Sequence, residues 1–475
     1  MRFARNDSTT TNSVRLVRGV TTAVVMAIVG ATSIATAPAV LARTPPAPIP
    51  VRNTPAPSPA RRAPSPGGRM HPAASLLTQP QSTSLASAGV FACQSPSAQY
   101  QCYGPSQIRA AYDIQPLINA GKDGSGRTIT IIDAFQDPTL ASDLAGFDTS
   151  FGLAAPKSFR TIAPFGLTPF DATNPDEVGW SGEIALDVEW AHADAPGAAI
   201  VLALAPSDND PDLVNTERYV INHDIGDVIS MSYGEAESCM DSQLHQQEHD
   251  LFNTATAQGM TLLAGSGDEG AAQYTCDGSS LMKAVSTPAS DPNVTAVGGT
   301  DLKANLSTGE YHSESVWNEP AYGGASGGGF SSLYARPSYQ DGVVDDPMRG
   351  LPDVALTASN ARGVVVGWGS SGSPGEYWIF AGTSVGTPQW AGIVAIADQS
   401  AGRDLGNINP ALYHLEQDQW WSADFHDITV GNNDFPPIKG YKAGPGWDAA
   451  TGLGSPDASL LVPALAWWAR GPGQD

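Results

Sequence analysis

The sequence predicts an α/β fold, a mostly parallel sheet with helices on both faces. Short apolar, β-branched segments recur along the body of the chain, and helical patterns lie between them. Fifty Gly and 38 Pro favour many turns over a helical bundle.

The strand candidates are Thr128–Asp133, Ala199–Leu204, Val228–Ser232, Thr261–Ala264 and Val294–Val297. The helical patterns are Gly182–Ala193, Gln243–Gln258 and Gly386–Ser400. In such sheets the site lies beyond the carboxyl ends of the strands. Asp133, Ser232 and Asp268 fall at those ends.

The ends of the chain read differently from its body. Arg15 and Arg18 precede an uncharged run from Gly19 to Ala42 with an apolar centre, the pattern of a secretory signal peptide spanning 1–42. Residues 43–90 are Pro/Ala-rich, with eleven Pro between positions 44 and 80, and read as a disordered, extended tether. The globular domain is expected over 91–468. Export permits disulfides, and Cys93 with Cys102 and Cys239 with Cys276 are the candidate pairs.

The net charge is −24, and the first 70 residues hold nine Arg against one Asp, so the body is more acidic still. Such a body repels nucleic acid and anionic membrane. After signal cleavage no stable membrane association is expected. The protein is read as a secreted, extracellular monomer, and its acidity suits an acidic environment.

Three segments carry chemistry. In Gly382-Thr383-Ser384 followed by Pro388, a Ser opens an apolar helix, where backbone N–H groups and the helix dipole favour a nucleophile and an oxyanion. For a lone Ser, an N-cap is the commoner meaning. In Gly182-Glu183-Ile184-Ala185-Leu186-Asp187, two carboxyls four apart share one helix face among apolar neighbours. They repel unless they share a proton, and the bland alternative is a solvated acidic face. In Ser266-Gly267-Asp268-Glu269-Gly270, small residues at a strand end let a substrate approach, and a protonated Asp268 would donate a hydrogen bond. The alternative there is a turn with an Asx cap.

Taken together and in this order, the three segments resemble the sedolisins, the serine-carboxyl peptidases with a subtilisin-like fold. Ser326-Gly327-Gly328-Gly329-Phe330, Pro352-Asp353-Val354 and the opening Cys102-Tyr103-Gly104-Pro105-Ser106 add to the likeness, which covers about residues 100–465. The resemblance implies polypeptide substrates, hydrolysis through an acyl-enzyme, and activity at acid pH. It makes Ser384 the nucleophile, Glu183 its base, and Asp187 the residue that orients Glu183. Asp268 would stabilise the oxyanion with the Ser384 N–H. It also implies one structural Ca²⁺ in a loop near the C-terminus, held by Asp427 and Asp448 and by the carbonyls of Ile428, Gly444 and Gly446. Two carboxylates with carbonyls from Gly-rich turns suit a hard cation. Sedolisins usually carry a large prodomain, for which the Pro-rich stretch between Arg43 and Phe91 leaves no room.

Competing readings remain. An ordinary subtilase would use Asp, His and Ser, but no matching His segment follows Asp133, which reads as structural or site-bordering. His245-Gln246-Gln247-Glu248-His249 fits an inverted zinc-peptidase pattern, though Asp241, Glu248 and Asp250 suggest a solvated helix face. A sedolisin-like peptide-binding protein without activity is the non-enzyme alternative.

Overall fold

The computed structural model describes residues 68–72, 81–83, 85–87, 90–370, 372, 374–417 and 424–471. The signal-peptide expectation and most of the tether lie outside those residues. The main strands are β1 (His71–Pro72), β2 (Thr128–Ala134), β3 (Ser158–Ile162), β4 (Ala199–Ala205), β5 (Val228–Met231), β6 (Tyr233–Ala236), β7 (Thr261–Gly265), β8 (Val294–Ala304), β9 (Tyr311–Val316), β10 (Val354–Thr357) and β11 (Tyr377–Phe380). The helices that matter here are α1 (Pro175–Asp194), α2 (Asp210–Asn222), α3 (Ser242–Gln258) and α4 (Thr383–Ala401).

An eight-stranded sheet runs β9-β8-β7-β5-β2-β4-β3, with β10 also paired to β8. Every pairing is parallel except that of β8 with β9. The interiors of β2, β4, β5 and β7 are buried on both faces, as crossover helices require. On one side α1 and α4 pack Ile184, Val188, Trp190, Trp390 and Val394 into a cluster with Ile129, Ile131, Leu202 and Leu263. On the other, α2 and α3 bring Leu213, Val220, Phe252 and Ala255 against Ile229, Met231, Leu262 and Ala296. Neighbouring strand residues such as Leu262 and Leu263 go to opposite sides, the two-residue period of a strand.

Both flanking helices of the site start earlier than the apolar patterns suggest. α1 begins at Pro175, where the Asn174 side chain accepts from the Asp176 N–H and Pro occupies the first helical position. α4 begins at Thr383, three residues before Gly386. The short strands β3, β9 and β10 were not among the candidates; β3 is half exposed and reads as a polar segment.

Within 43–90 the expectation of a disordered tether meets ordered chain. His71 and Pro72 pair with β6, Arg69 bridges to Asn209, Gln81–Thr83 pair with β11, and Met70 is completely buried. Both candidate disulfides form, Cys93–Cys102 and Cys239–Cys276. Among the described residues no helix is long and apolar enough to cross a membrane.

Candidate active site

The site is built where α1 passes under the start of α4, beyond the carboxyl ends of β2, β5 and β7. α1 is buried along almost its entire length, so its polar side chains sit inside the protein. Glu183 and Asp187 are both fully buried, which removes the reading of a solvated acidic face. Gly182 permits this packing: a Cβ there would meet Phe380 at 3.2 Å and Trp368 at 3.3 Å.

Ser384 is the second residue of α4 and is also fully buried. Gly382, at φ 115°, turns the chain from β11 into the helix, a backbone conformation that L side chains rarely adopt. The first turn of a helix lacks internal partners for its N–H groups. Here the Thr383 N–H is taken by Asp268 Oδ1 at 2.8 Å, and the Thr383 hydroxyl donates to the same oxygen at 3.0 Å. The Ser384 N–H follows directly, at the positive end of the dipole. Asp268 thus lies beside Ser384 and caps the start of α4. Its loop is pressed against the Ser326-Gly327-Gly328 stretch: the Gly327 N–H donates to Gly267 O at 2.7 Å, and a Cβ on Gly327 would sit 2.1 Å from Ser266 O.

The Ser384 hydroxyl faces Glu183 closely enough to lower its pKa. Neither Glu183 oxygen has a hydrogen bond of normal length, and Ser384 Oγ donates instead to Ser232 O at 3.4 Å. That is a long bond, of the kind that tightens only when substrate arrives. Ser232 also donates its own hydroxyl to Asp187 Oδ1 at 2.9 Å. The residue following β5 therefore touches both Ser384 and Asp187.

Burial, then the charge of Asp187, pushes the Glu183 carboxyl well above its ordinary value; Asp133 and Asp268 add to the rise. Burial raises Asp187 well above its ordinary value too, against the opposing Ser232 hydrogen bond. Asp133, fully buried with neither oxygen hydrogen-bonded, is raised by burial and then by Asp187. Three carboxyls in one dry space cannot all ionise, so they hold protons in common. Asp133 accordingly borders the site as the third acid of the group. The sequence signal was an Asp closing an apolar strand; that of Ser232 was its place at a strand end.

The C-terminal loop ties each of its two acids to one of its Gly-rich turns. Asp427 Oδ2 accepts from the Gly446 N–H at 3.2 Å, and Asp448 Oδ2 from the Gly444 N–H at 3.0 Å. Burial raises Asp427 and pushes Asp448 up to about 6. Carboxylate oxygen is the donor type a hard cation takes, and here it is met by the N–H groups of the Gly turns. Among the described residues no cluster of three or more His, Cys, Asp or Glu is placed to hold a metal.

The two histidines of the zinc pattern share Tyr334, and Glu248 turns to Thr287. His245 and His249 flank the Tyr334 ring, each at 5.4 Å, and His249 Nδ1 lies 2.6 Å from Asp291 Oδ2. Glu248 is buried, not solvated, and accepts from the Thr287 hydroxyl at 3.3 Å.

A profile of the subtilase family (Peptidase S8) matches residues 180–411. Kumamolisin of Bacillus sp. (strain MN-32) is 35% identical over 393 residues, 79% of this chain and 66% of that protein. Sedolisin of Pseudomonas sp. (strain 101) is 32% identical over 376 residues, 76% and 60% respectively. The chain thus spans less than two thirds of the length of these relatives. The solved Pseudomonas sedolisin, a serine-carboxyl proteinase complexed with two molecules of pseudo-iodotyrostatin, superposes with a TM-score of 0.66 at 28% identity, covering 79% of this chain and 99% of that one. The sheet and its helices are therefore subtilisin-like. With its Ser at a helix mouth and its carboxyl pair on the helix beneath, the chain belongs to the sedolisin family of serine-carboxyl peptidases.

Proposed function

We propose that the protein is a secreted peptidase that cleaves polypeptides at acid pH through Ser384, Glu183, Asp187 and Asp268. The observation that carries this reading is the Ser384 hydroxyl at the start of α4 facing a buried carboxyl pair. Ser384 Oγ attacks the peptide carbonyl carbon while its proton passes to Glu183. The oxyanion is held by the Ser384 N–H and Asp268. The C–N bond breaks, and Glu183 returns the proton to the leaving amine. Water then attacks the acyl-enzyme, gives its proton to Glu183, and the carboxylic acid leaves as Ser384 recovers it. Asp187, anchored by Ser232, holds Glu183 in place.

The working state is one negative charge shared over Glu183 and Asp187. The first ionisation of such a pair is opposed by burial but not by the partner's charge, and the Ser232 hydrogen bond to Asp187 favours it, so it comes before the second. Loss of the second proton is opposed by repulsion and by burial, and sets the upper end of the range. Asp427, Asp448 and the carbonyls of Ile428, Gly444 and Gly446 would hold Ca²⁺, which when bound neutralises the two carboxylates and ties the loop down.

A pH–activity profile on a denatured protein, with the wild type and Ser384→Ala, tests the proposal. Activity below pH 6 that vanishes in the variant is expected. Cleavage confined to pH above 7, or retained by Ser384→Ala, would refute it.

A further inference from the structure

The last helix, α5 (Ala458–Arg470), is apolar on every side, since each residue from Leu460 to Ala469 is apolar. A helix of that kind is normally covered all round. Here one face is covered: Leu461, Val462 and Leu465 enter the cluster that holds Trp390 and Val394 of α4. The opposite face is not. Leu460 is 44% exposed and Trp467 43%, and Pro463 between them is exposed as well. Of the large apolar side chains exposed among the described residues, Leu460 and Trp467 alone share a helix. Positions seven apart lie two turns apart on the same side of a helix, about 10 Å along its axis. Leu460, Pro463, Ala464 and Trp467 thus form one stripe.

The stripe is complementary to its own image. A two-fold axis crossing α5 midway between Pro463 and Ala464 sets two copies of the helix antiparallel. Leu460 then meets Trp467 of the second copy, and the same pair recurs at the other end. At the centre the Pro463 ring meets Ala464 of the second copy, a small side chain. Arg470 comes level with Asp457 of the second copy. Arg470 is the exposed last residue of the helix. Asp457 is its N-cap, accepting from the Leu460 N–H and, at 2.8 Å, from the Ser459 hydroxyl. Opposite charges therefore close both ends, and each positive helix N-terminus lies beside a negative C-terminus. A parallel pair would set Arg470 beside Arg470 and Asp457 beside Asp457.

We infer that the exposed face of α5 is the contact surface of a two-fold dimer, in which Leu460 and Trp467 of two chains pack together and Arg470 pairs with Asp457 across the contact. One patch set against its own image is the commonest way a soluble chain forms a dimer. The dimer takes the place of the monomer expected from the sequence. The partner is a second copy and not an anionic membrane, which the acidic body repels. No side chain of the proposed catalytic site takes part, so the inference does not depend on the peptidase reading. A helix of 13 residues is about 20 Å long. The contact is therefore at the small end of specific interfaces, and a Kd on the order of 1–100 µM is expected.

The test uses the full chain carrying Ser384→Ala, which rules out self-digestion during a long run. Sedimentation equilibrium from about 1 to 500 µM gives its mass, and that of Trp467→Asp and Arg470→Glu in the same background. Circular dichroism checks that each variant folds. Arg470 lies exposed at the helix end, so its variant keeps the test open should Trp467→Asp fail to fold. All four cysteines are in disulfides, so a thiol introduced by Ala464→Cys has only its own image to meet. Thr149→Cys, exposed on the helix Leu140–Phe151, is the control. The expected result is a mass that rises with concentration to twice that of the monomer, with Kd raised at least about tenfold by each substitution. A short bis-maleimide should join Ala464→Cys chains into dimers and leave Thr149→Cys single. The inference is overturned by a chain that stays monomeric throughout, or by a mass that passes beyond two chains. It is equally overturned by a Kd unmoved by either folded variant, or by cross-linking no greater at position 464 than at 149.

Discussion

Replacing Glu183 with Gln keeps the shape of the side chain and removes its ability to take a proton. Asp187 is held by the Ser232 hydroxyl at 2.9 Å, on the next turn of α1, and is not placed to replace it. Loss of a general base costs about 10²- to 10⁴-fold, or roughly 3–5 kcal/mol of barrier. With no second base at hand, a fall in kcat of about 10³-fold is expected on a peptide substrate at the optimum pH, with KM little changed. Stability should move the other way. Glu183 has a folded pKa raised above its unfolded value, chiefly by burial and then by Asp187. Below the unfolded pKa both states are protonated and nothing is lost. As pH rises past it the unfolded chain ionises while the folded one resists, so the wild type loses stability. Gln escapes that loss. Tm should therefore rise at pH 7 and be unchanged at pH 3. The assay is single-turnover cleavage alongside calorimetry at the two pH values. Residual activity above about a tenth of wild type would refute Glu183 as the base. Lost activity without the pH-dependent gain in Tm would show that its raised pKa has been misread.

The same sign rule applies to the whole protein. Burial raises Asp208 and Asp448 to about 6, Asp194 and Glu217 to about 7, and Asp398 to about 8. Stability should therefore fall steadily from about pH 4 to pH 8, and a calorimetric Tm that climbs over that window would contradict the fold's buried acids. Ser232→Ala removes the hydrogen bond that lowers Asp187; Asp187 then rises further, and kcat should drop about tenfold with the alkaline limb of the pH–rate profile moved upward. Chelation should lower the Tm of the wild type by several degrees, as expected for about 3 kcal/mol of linked cation binding at a hundredfold excess over Kd. Asp448→Asn should start lower and not respond, and equal responses from the two proteins would remove Asp448 from the proposed site.

Much of this arrangement was legible in the chain, for identifiable reasons. The interior strands are short apolar runs, and burial on both faces makes such runs stand out; β2, β4, β5 and β7 emerged at nearly their true bounds. β3 and β9 carry polar or exposed residues and give no such pattern. Helix starts were missed because an apolar pattern marks where a helix is buried, whereas α1 starts with a capping Asn174 and Pro175. The acids were harder. A spacing of four puts Glu183 and Asp187 on one face but does not say whether that face is wet, and the same ambiguity misplaced Glu248, which lies inside. What the spacing could not contain is Ser232, since its contacts with Asp187 and Ser384 depend on how β5 lies across α1 and α4.

The acidity of the chain also takes on a different meaning inside the fold. A formal charge of −24 counts every carboxyl as ionised. Yet Asp133, Glu183, Asp187, Glu189, Glu217 and Glu248 are all essentially excluded from water, and each is shifted upward chiefly by burial. Burying a charge without a partner is prohibitively costly, so, apart from the single charge proposed for the Glu183–Asp187 pair, such groups stay protonated and act as neutral hydrogen-bonding acids. A protein built in this way tolerates acid because its interior is already protonated, and it is threatened by base. The chemistry proposed at Ser384 asks for the same condition, since a carboxyl pair that must keep one of its two protons cannot work once the second has gone. Catalytic range and folding range are thus set by one physical cause, the cost of a second negative charge in a dry interior. Variants that relieve that cost at the pair should widen the stability range while narrowing or abolishing the activity.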